Sequence, residues 1–355
     1  MGGGVHARGL PEPPLTLALD IHGYRVRVHG SDAAAIENVR RDFAYFVRPG
    51  SPADGAVLSV ELRRAAPPGP PPGAVARLRS PECVAYDAGP LRYADYGGRG
   101  GVTWHTAAET VSIVSPDPHL LHEASYMVIL TRAGEAFDRR GIHRLHGLAV
   151  ARDGRATLCL LPSGGGKTTL AMALLRAGNG LLLSDEQAAI DGRLRVLPFP
   201  LRLGLAPGAA ALDGIGAAQL RTLVRAARGP KVLVDVAWCA HALARAPAPL
   251  GAVLFGRRAG AAAPALVPLG AAAAARLLLV ELVRARELPQ TKIYFFRRDA
   301  RALARLGRIL AARARRALHL ARAVPSFHFA LGEDPAANAA ALGAALARDV
   351  RDRRP

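Results

Sequence analysis

The sequence predicts an α/β fold, with a small α+β domain ahead of a larger α/β domain. Three observations carry this. A glycine-rich run, Ser163-Gly164-Gly165-Gly166-Lys167-Thr168-Thr169, lies between a strand-like and a helix-like segment. One helix later, three leucines form a strand that ends in Asp185-Glu186. Ahead of both, residues 15–115 read as short strands with one helix.

Taken in order, residues 1–14 form a flexible lead. Residues 15–21 and 24–29 are strand-like runs around His22-Gly23. Val26 and Val28 alternate with Arg25 and Arg27, as on a half-buried strand. Ser31-Asp32 caps a helix running to about Phe46, with Ile36, Val39, Phe43 and Phe46 on one face. Residues 57–62 form another strand. The proline-rich stretch 67–73 is a stiff surface loop. Short strands follow at 83–86, 91–93, 102–105 and 111–114, which completes the small domain. After the break Pro116-Asp117-Pro118, residues 116–141 hold a connecting helix, from about 119 to 139.

The larger domain spans 142–335. Asp153-Gly154 is a hairpin signal that pairs 148–150 with 156–161. A helix over 168–177 closes on Gly178. Leu181, Leu182 and Leu183 read as a strand buried on both faces. Residues 188–190 continue it, Asp191-Gly192 turns, and 194–197 return. Residues 204–230 read as helical and loop-like, with Arg221, Arg225 and Arg228. Strands follow at 231–234 and 252–255, and helices at 271–286 and 299–320. In the second helix Leu303, Leu306, Ile309 and Leu310 form the apolar stripe, and its arginines form a solvated face. Residues 327–329 are a last strand, and 336–355 a C-terminal helix and tail.

Composition narrows the function classes. Half the residues are hydrophobic and 21% are charged, which is globular rather than disordered. The net charge of +19 comes almost wholly from arginine, because only three lysines occur, Lys167, Lys231 and Lys292. Arginine, alanine and glycine are abundant everywhere, the mark of a compositional bias rather than a polyanion site, so no nucleic-acid partner is expected. The three cysteines are scattered, without C-x-x-C, and suit a reducing compartment. No membrane span and no signal-length apolar run are expected, and the expected location is cytoplasmic.

The run from Ser163 to Thr169 has the layout of a phosphate-binding P-loop. Glycines let backbone N–H groups turn toward an anion, and the following helix adds its positive end. Lys167 would reach the β- and γ-phosphates, and Thr168 would ligate Mg²⁺. The strict pattern has a glycine where Leu161 stands, but the donors from Ser163 to Thr168 do not depend on it. The competing reading is a glycine-rich turn. Asp185 and Glu186, at the carboxyl end of a strand, can bind Mg²⁺ or take a proton from an attacking hydroxyl. Their competing reading is a surface acid pair. His143 and His146 precede the loop; His146 can hydrogen-bond the catalytic acid, and no ligand set for zinc is complete.

Residues 145–190 resemble the bacterial HPr kinase/phosphorylase family and its HPr-kinase-like relatives. The likeness rests on Leu145-His146-Gly147 before the loop strand, and on Ser163 to Thr168 as S-G-x-G-K-[ST]. It also rests on Arg176-Ala177-Gly178 at the helix end and on Asp185-Glu186 where the family has two aspartates. The resemblance implies a P-loop nucleotide-binding domain of the HPr kinase/phosphoenolpyruvate carboxykinase-like type. It implies ATP- and Mg²⁺-dependent phosphorylation of a serine or threonine on a protein or peptide. It makes Asp185 the general base, with Lys167 and His146 as catalytic partners and Mg²⁺ at Thr168, Asp185 and Glu186. In an ungapped alignment Ser184 competes with Asp185, but a hydroxyl cannot serve as a carboxylate base. The family's downstream glycine-rich substrate motif is not found, so the implied acceptor is a protein or peptide other than HPr. Two further classes stay open, a P-loop ATPase or nucleotide switch without an acceptor, and a small-molecule kinase. Homo-oligomers also stay open. ABC-type ATPases and Ras-like GTPases are disfavoured, since neither L-S-G-G-Q nor N-K-x-D occurs.

Overall fold

The structure, a computed structural model, describes residues 15–49, 55–225, 229–260, 263–284 and 300–351. The expectations for residues 1–14, Arg228, 285–286, 299 and 352–355 lie outside the described residues. The chain is α/β with mixed sheets and divides into two compact units. The first is built from residues up to Arg40 and from Val47–Ser125; the second takes Arg41–Phe46 and the chain from Tyr126 on.

The first unit begins with β1 (Leu15–Ile21), β2 (Tyr24–Gly30), α1 (Ala33–Asp42, whose last two residues, Arg41 and Asp42, belong to the second unit) and β3 (Leu58–Arg63). It continues with β4 (Val75–Arg79), β5 (Val84–Ala88), β6 (Leu91–Asp95), β7 (Gly101–His105) and β8 (Thr110–Val114). These strands form one sheet in the order β1-β2-β3-β8-β7-β6-β5-β4. On β2, Tyr24, Val26 and Val28 are buried while Arg25 and Arg27 are exposed, as the alternation requires. Because β2 and β3 are parallel, a crossover must join them, and α1 supplies it. Asp32 caps α1 by accepting the Ala35 N–H at 3.0 Å. The helix stops at Asp42, short of the expected Phe46, and a 3₁₀ turn over Ala44–Phe46 follows. Strand β4 was not expected. It is an edge strand without buried alternation, and only pairing with β5 makes it a strand.

From α2 (Pro118–Arg139) the chain runs through β9 (His143–Leu145), β10 (Gly147–Arg152), β11 (Arg155–Leu160), α3 (Lys167–Arg176) and β12 (Leu181–Ser184). Next come β13 (Ala188–Ile190), β14 (Arg195–Leu197), β15 (Leu203–Leu205), β16 (Leu220–Arg225), β17 (Gly229–Val234) and β18 (Ala248–Arg258). The last elements are β19 (Ala265–Leu269), α4 (Ala271–Leu279), α5 (Ala300–Ala323), β20 (Ser326–Leu331) and α6 (Pro335–Arg351). The main sheet of this unit has the order β12-β10-β11-β18-β14-β13-β9, with β20 on β18 and β19 on β20. The hairpin β10–β11 forms at Asp153-Gly154, where both residues have positive φ (50° and 76°).

Successive residues of β10 and β11 face opposite ways, so two cores form. Leu148, Val150 and Cys159 pack with Leu170 and Leu174 of α3 and Leu342 of α6. Ala149, Leu158 and Leu160 pack with Leu278 of α4 and Ala317 and Leu320 of α5. Among the described residues no helix is long and apolar enough to cross a membrane.

Three expectations need correction. Strand β12, antiparallel to β10 and bridged to Leu243 through Leu182, is buried on both faces as expected at Leu182 and Leu183, one in each core, but its first leucine, Leu181, is 44% exposed. Among the described residues of 204–230 there is no helix beyond 3₁₀ turns; β16 and β17 form a three-stranded sheet with β15. In α5 the buried stripe runs through Ala302, Arg313, Ala317 and Leu320, and Leu303 is 54% exposed. Arg313 sits in the stripe because Asp138 pairs with it at 2.5 Å, the type of partner a buried cation requires.

Arg221, expected on a loop, belongs to a buried charge network instead. Asp42 is fully buried and accepts from Arg202 at 2.7 Å and Arg221 at 2.8 Å. Arg221 also reaches Asp235 at 2.8 Å, and Arg41 pairs with Asp235 as well. Removing one member leaves a buried charge uncompensated. Asp42→Ala is expected to cost about 3–5 kcal/mol in urea unfolding.

Candidate functional site

The site grows from strand direction. Strand β10 is antiparallel to both β11 and β12, so β11 and β12 point the same way although they never pair. Their carboxyl ends therefore lie at one edge of the sheet. The glycine loop leaves the end of β11, and Asp185 follows the end of β12. The result is a hydrogen bond from the Thr168 hydroxyl to Asp185 Oδ2 at 2.8 Å.

Local sequence shapes the loop. The Gly165 N–H closes a turn on the Pro162 carbonyl at 3.0 Å. Gly166 is the N-cap of α3 with φ 95°, a conformation that favours glycine. No side chain caps this helix, and its first turn holds no acidic residue. The amino end of α3 thus has the uncapped donors and dipole that favour an anion. Lys167 is buried and folds back across the loop, donating to the Leu161 carbonyl at 2.6 Å and the Pro162 carbonyl at 3.1 Å. Ser163 and Gly164 are exposed, Gly165 is buried, and Thr168 and Thr169 are half-buried.

Leu161, which replaces the first glycine of the strict pattern, has a defined place. It is 3% exposed and belongs to the core beneath α3. Its side chain fills the space over Gly256 of β18, where an added Cβ would meet Leu161 Cδ2 at 2.5 Å. The small residue that the loop lacks stands on the neighbouring strand.

Asp185 is 6% exposed, and its Oδ1 is buried without a hydrogen-bond partner in the described structure. Burial, with the neighbouring Glu186 charge adding to it, pushes its pKa up to about 6, against the Thr168 hydrogen bond and the charges of Lys231 and Lys167. Glu186 behaves oppositely. Burial disfavours its charge, but Lys231, His146 and Arg202 outweigh that and hold the carboxyl below its usual range. Tyr126 also donates to Glu186 at 3.3 Å, while Arg202 stacks 3.8 Å over the Tyr126 ring.

His146 is buried on the same side and acts electrostatically on Glu186. His143 is placed elsewhere; its Nδ1 meets Asp138 at 2.9 Å, beside Arg313. Ser184 is fully buried, and its hydroxyl accepts the Gln187 N–H at 2.9 Å, so it holds the turn after β12. The structure therefore brings together Lys167, Thr168, Asp185, Glu186 and His146. The chain matches no model of a known protein family, and no curated protein matches it.

Sequence reasoning missed Lys231. Lys231 crosses Gly204, whose missing side chain leaves room for the lysine stem, and its charge acts on both acids. Its signal was rarity, since it is one of only three lysines in an arginine-rich chain.

The donor set suits Mg²⁺. Among the described residues no cluster of three or more His, Cys, Asp or Glu could cage a metal. Mg²⁺ characteristically takes only one or two carboxylates and shares the rest of its shell with phosphate and water. The Thr168 hydroxyl beside Asp185, whose second oxygen has no hydrogen-bond partner, is such a set.

Two outcomes follow. Because the Asp185 pKa is raised on folding, its contribution to stability is present below about pH 4 and lost as pH rises through about 6. In metal-free protein Asp185→Asn should stabilise by up to about 3 kcal/mol near pH 8, the gain shrinking toward zero near pH 4, as read by urea unfolding. Gly256→Ala should destabilise by about 1–3 kcal/mol, and Leu161→Ala in that background should recover part of the loss in a double-mutant cycle.

Proposed function

We propose that the second unit is a P-loop kinase of the HPr-kinase-like type, transferring the γ-phosphoryl group of ATP to a serine or threonine hydroxyl of a protein or peptide. The observation that carries this reading is the Thr168–Asp185 contact. It sets an uncapped glycine-loop helix beside a buried carboxylate that still has an oxygen to offer.

The backbone donors from Ser163 to Thr169 would hold the β- and γ-phosphates, with Lys167 turning from the loop carbonyls to the anion. Thr168, Asp185 and Glu186 would hold Mg²⁺, which when bound offsets charge on the phosphate oxygens. Asp185 takes the acceptor proton. The acceptor oxygen bonds to the γ-phosphorus as the bond to the bridging oxygen breaks, and ADP leaves. The charge of His146 would help keep Glu186 ionised beside Asp185. Lys231 supplies the positive charge that lets two neighbouring carboxylates coexist.

The test is incubation with γ-labelled ATP, Mg²⁺ and candidate host peptides. Label on a serine or threonine is the expected result. Phosphate release unaffected by any peptide would replace this reading with an ATPase or nucleotide switch. Lys167→Ala should abolish both activities. Asp185→Asn should retain ATP binding and lower transfer by about 10²–10⁴-fold.

A further inference from the structure

Strand β18 is parallel to β11 and to β20, so its carboxyl end lies at the same sheet edge as the glycine loop and Asp185. The register pairs Leu160 with Phe255, which puts the next three residues of β18 alongside the loop. Alternation gives Gly256 and Arg258 the same face, and Gly256 is the residue that Leu161 covers. Arg258 follows Leu161 toward the loop. Its Nη2 lies 3.4 Å, and its Nε 3.9 Å, from the position a Cβ would take on Gly166.

Arg258 is exposed, and among the described residues no carboxylate is paired with it. This separates it from Arg41, Arg202, Arg221 and Arg313, all of which are held by buried acids. An arginine committed to the fold would be held in the same way. An unpaired planar cation beside an uncapped helix end is suited to bidentate contact with phosphate oxygens. Lys167, a compact point charge, does not duplicate that geometry.

We propose that Arg258 is a phosphate-binding residue that contacts the terminal phosphate of the bound nucleoside triphosphate and so favours triphosphate over diphosphate. This rests on the ATP reading given above. The test compares Mg-ATP and Mg-ADP binding by calorimetry for wild type, Arg258→Ala, Arg258→Lys and the control Arg257→Ala, with unfolding curves for each. Arg258→Ala should weaken ATP binding about 10–100-fold and ADP binding by less than about threefold, with stability unchanged. Arg258→Lys should recover part of the ATP loss, and Arg257→Ala should match wild type. Equal weakening of ATP and ADP, or no weakening of either, would overturn the assignment while leaving the nucleotide reading intact. If wild type itself binds no ATP, the nucleotide reading fails and the assignment fails with it.

Discussion

The hydrogen bond between Thr168 and Asp185 depends on two strands that point the same way without touching. Strand β10 lies between them and runs opposite to both. That arrangement fixes where the chain can place its loop and its acid. Shortening the β10–β11 hairpin, or moving β12 off β10, would separate them. The two apolar cores on either side of the hairpin keep β10 in place, through α3 and α6 on one face and α4 and α5 on the other. The chemistry thus depends on ordinary alternation of leucine, valine and alanine along two short strands.

Asp185 carries the cost of this arrangement. A carboxylate buried beside a second carboxylate is disfavoured in its charged form, and Thr168 and two lysines offset only part of that. Elsewhere in the unit the same problem is solved fully. Asp42, Asp138 and Asp235 each meet arginines, and the apolar stripe of α5 admits Arg313 because Asp138 faces it. At the loop, Asp185 keeps one oxygen without a hydrogen-bond partner. Gln187 Nε2, two residues further on, is likewise buried without a hydrogen-bond partner, so the polar groups after β12 are less completely satisfied than the arginine-paired acids.

Much of this was legible in the sequence, where local chemistry leaves few choices. Asp153-Gly154 permits the positive φ values of a two-residue turn, and Gly164 to Gly166 permit a tight loop before α3. The three leucines before Asp185 reveal a strand. They do not reveal its place in the sheet: Leu182 and Leu183 are buried in the two cores as read, but the strand stands at the end of the sheet order and Leu181 is exposed. Strand β17 was legible at 231–234, but β16 escaped because Arg221 and Arg225 interrupt its apolar pattern, and Arg221 finds its partners only in three dimensions. Leu303 looked like part of the stripe of α5, but a helix packed through alanines and a paired arginine buries a different face. Arg258 lies far from the loop in sequence and comes alongside it through the pairing of β11 with β18, while Lys231 acts on the two acids from a separate three-stranded sheet; a linear pattern encodes neither.

Leu161 and Gly256 extend that lesson from one chain to its relatives. The loop begins with a bulky residue because the strand beside it gives up a side chain, so the two positions share one steric requirement across a parallel pair. Neither position is informative alone. In an alignment of homologous chains they should vary as a pair, a small residue at 256 accompanying a large one at 161, and a search pattern that insists on the first glycine would overlook every chain that has moved it to the neighbouring strand.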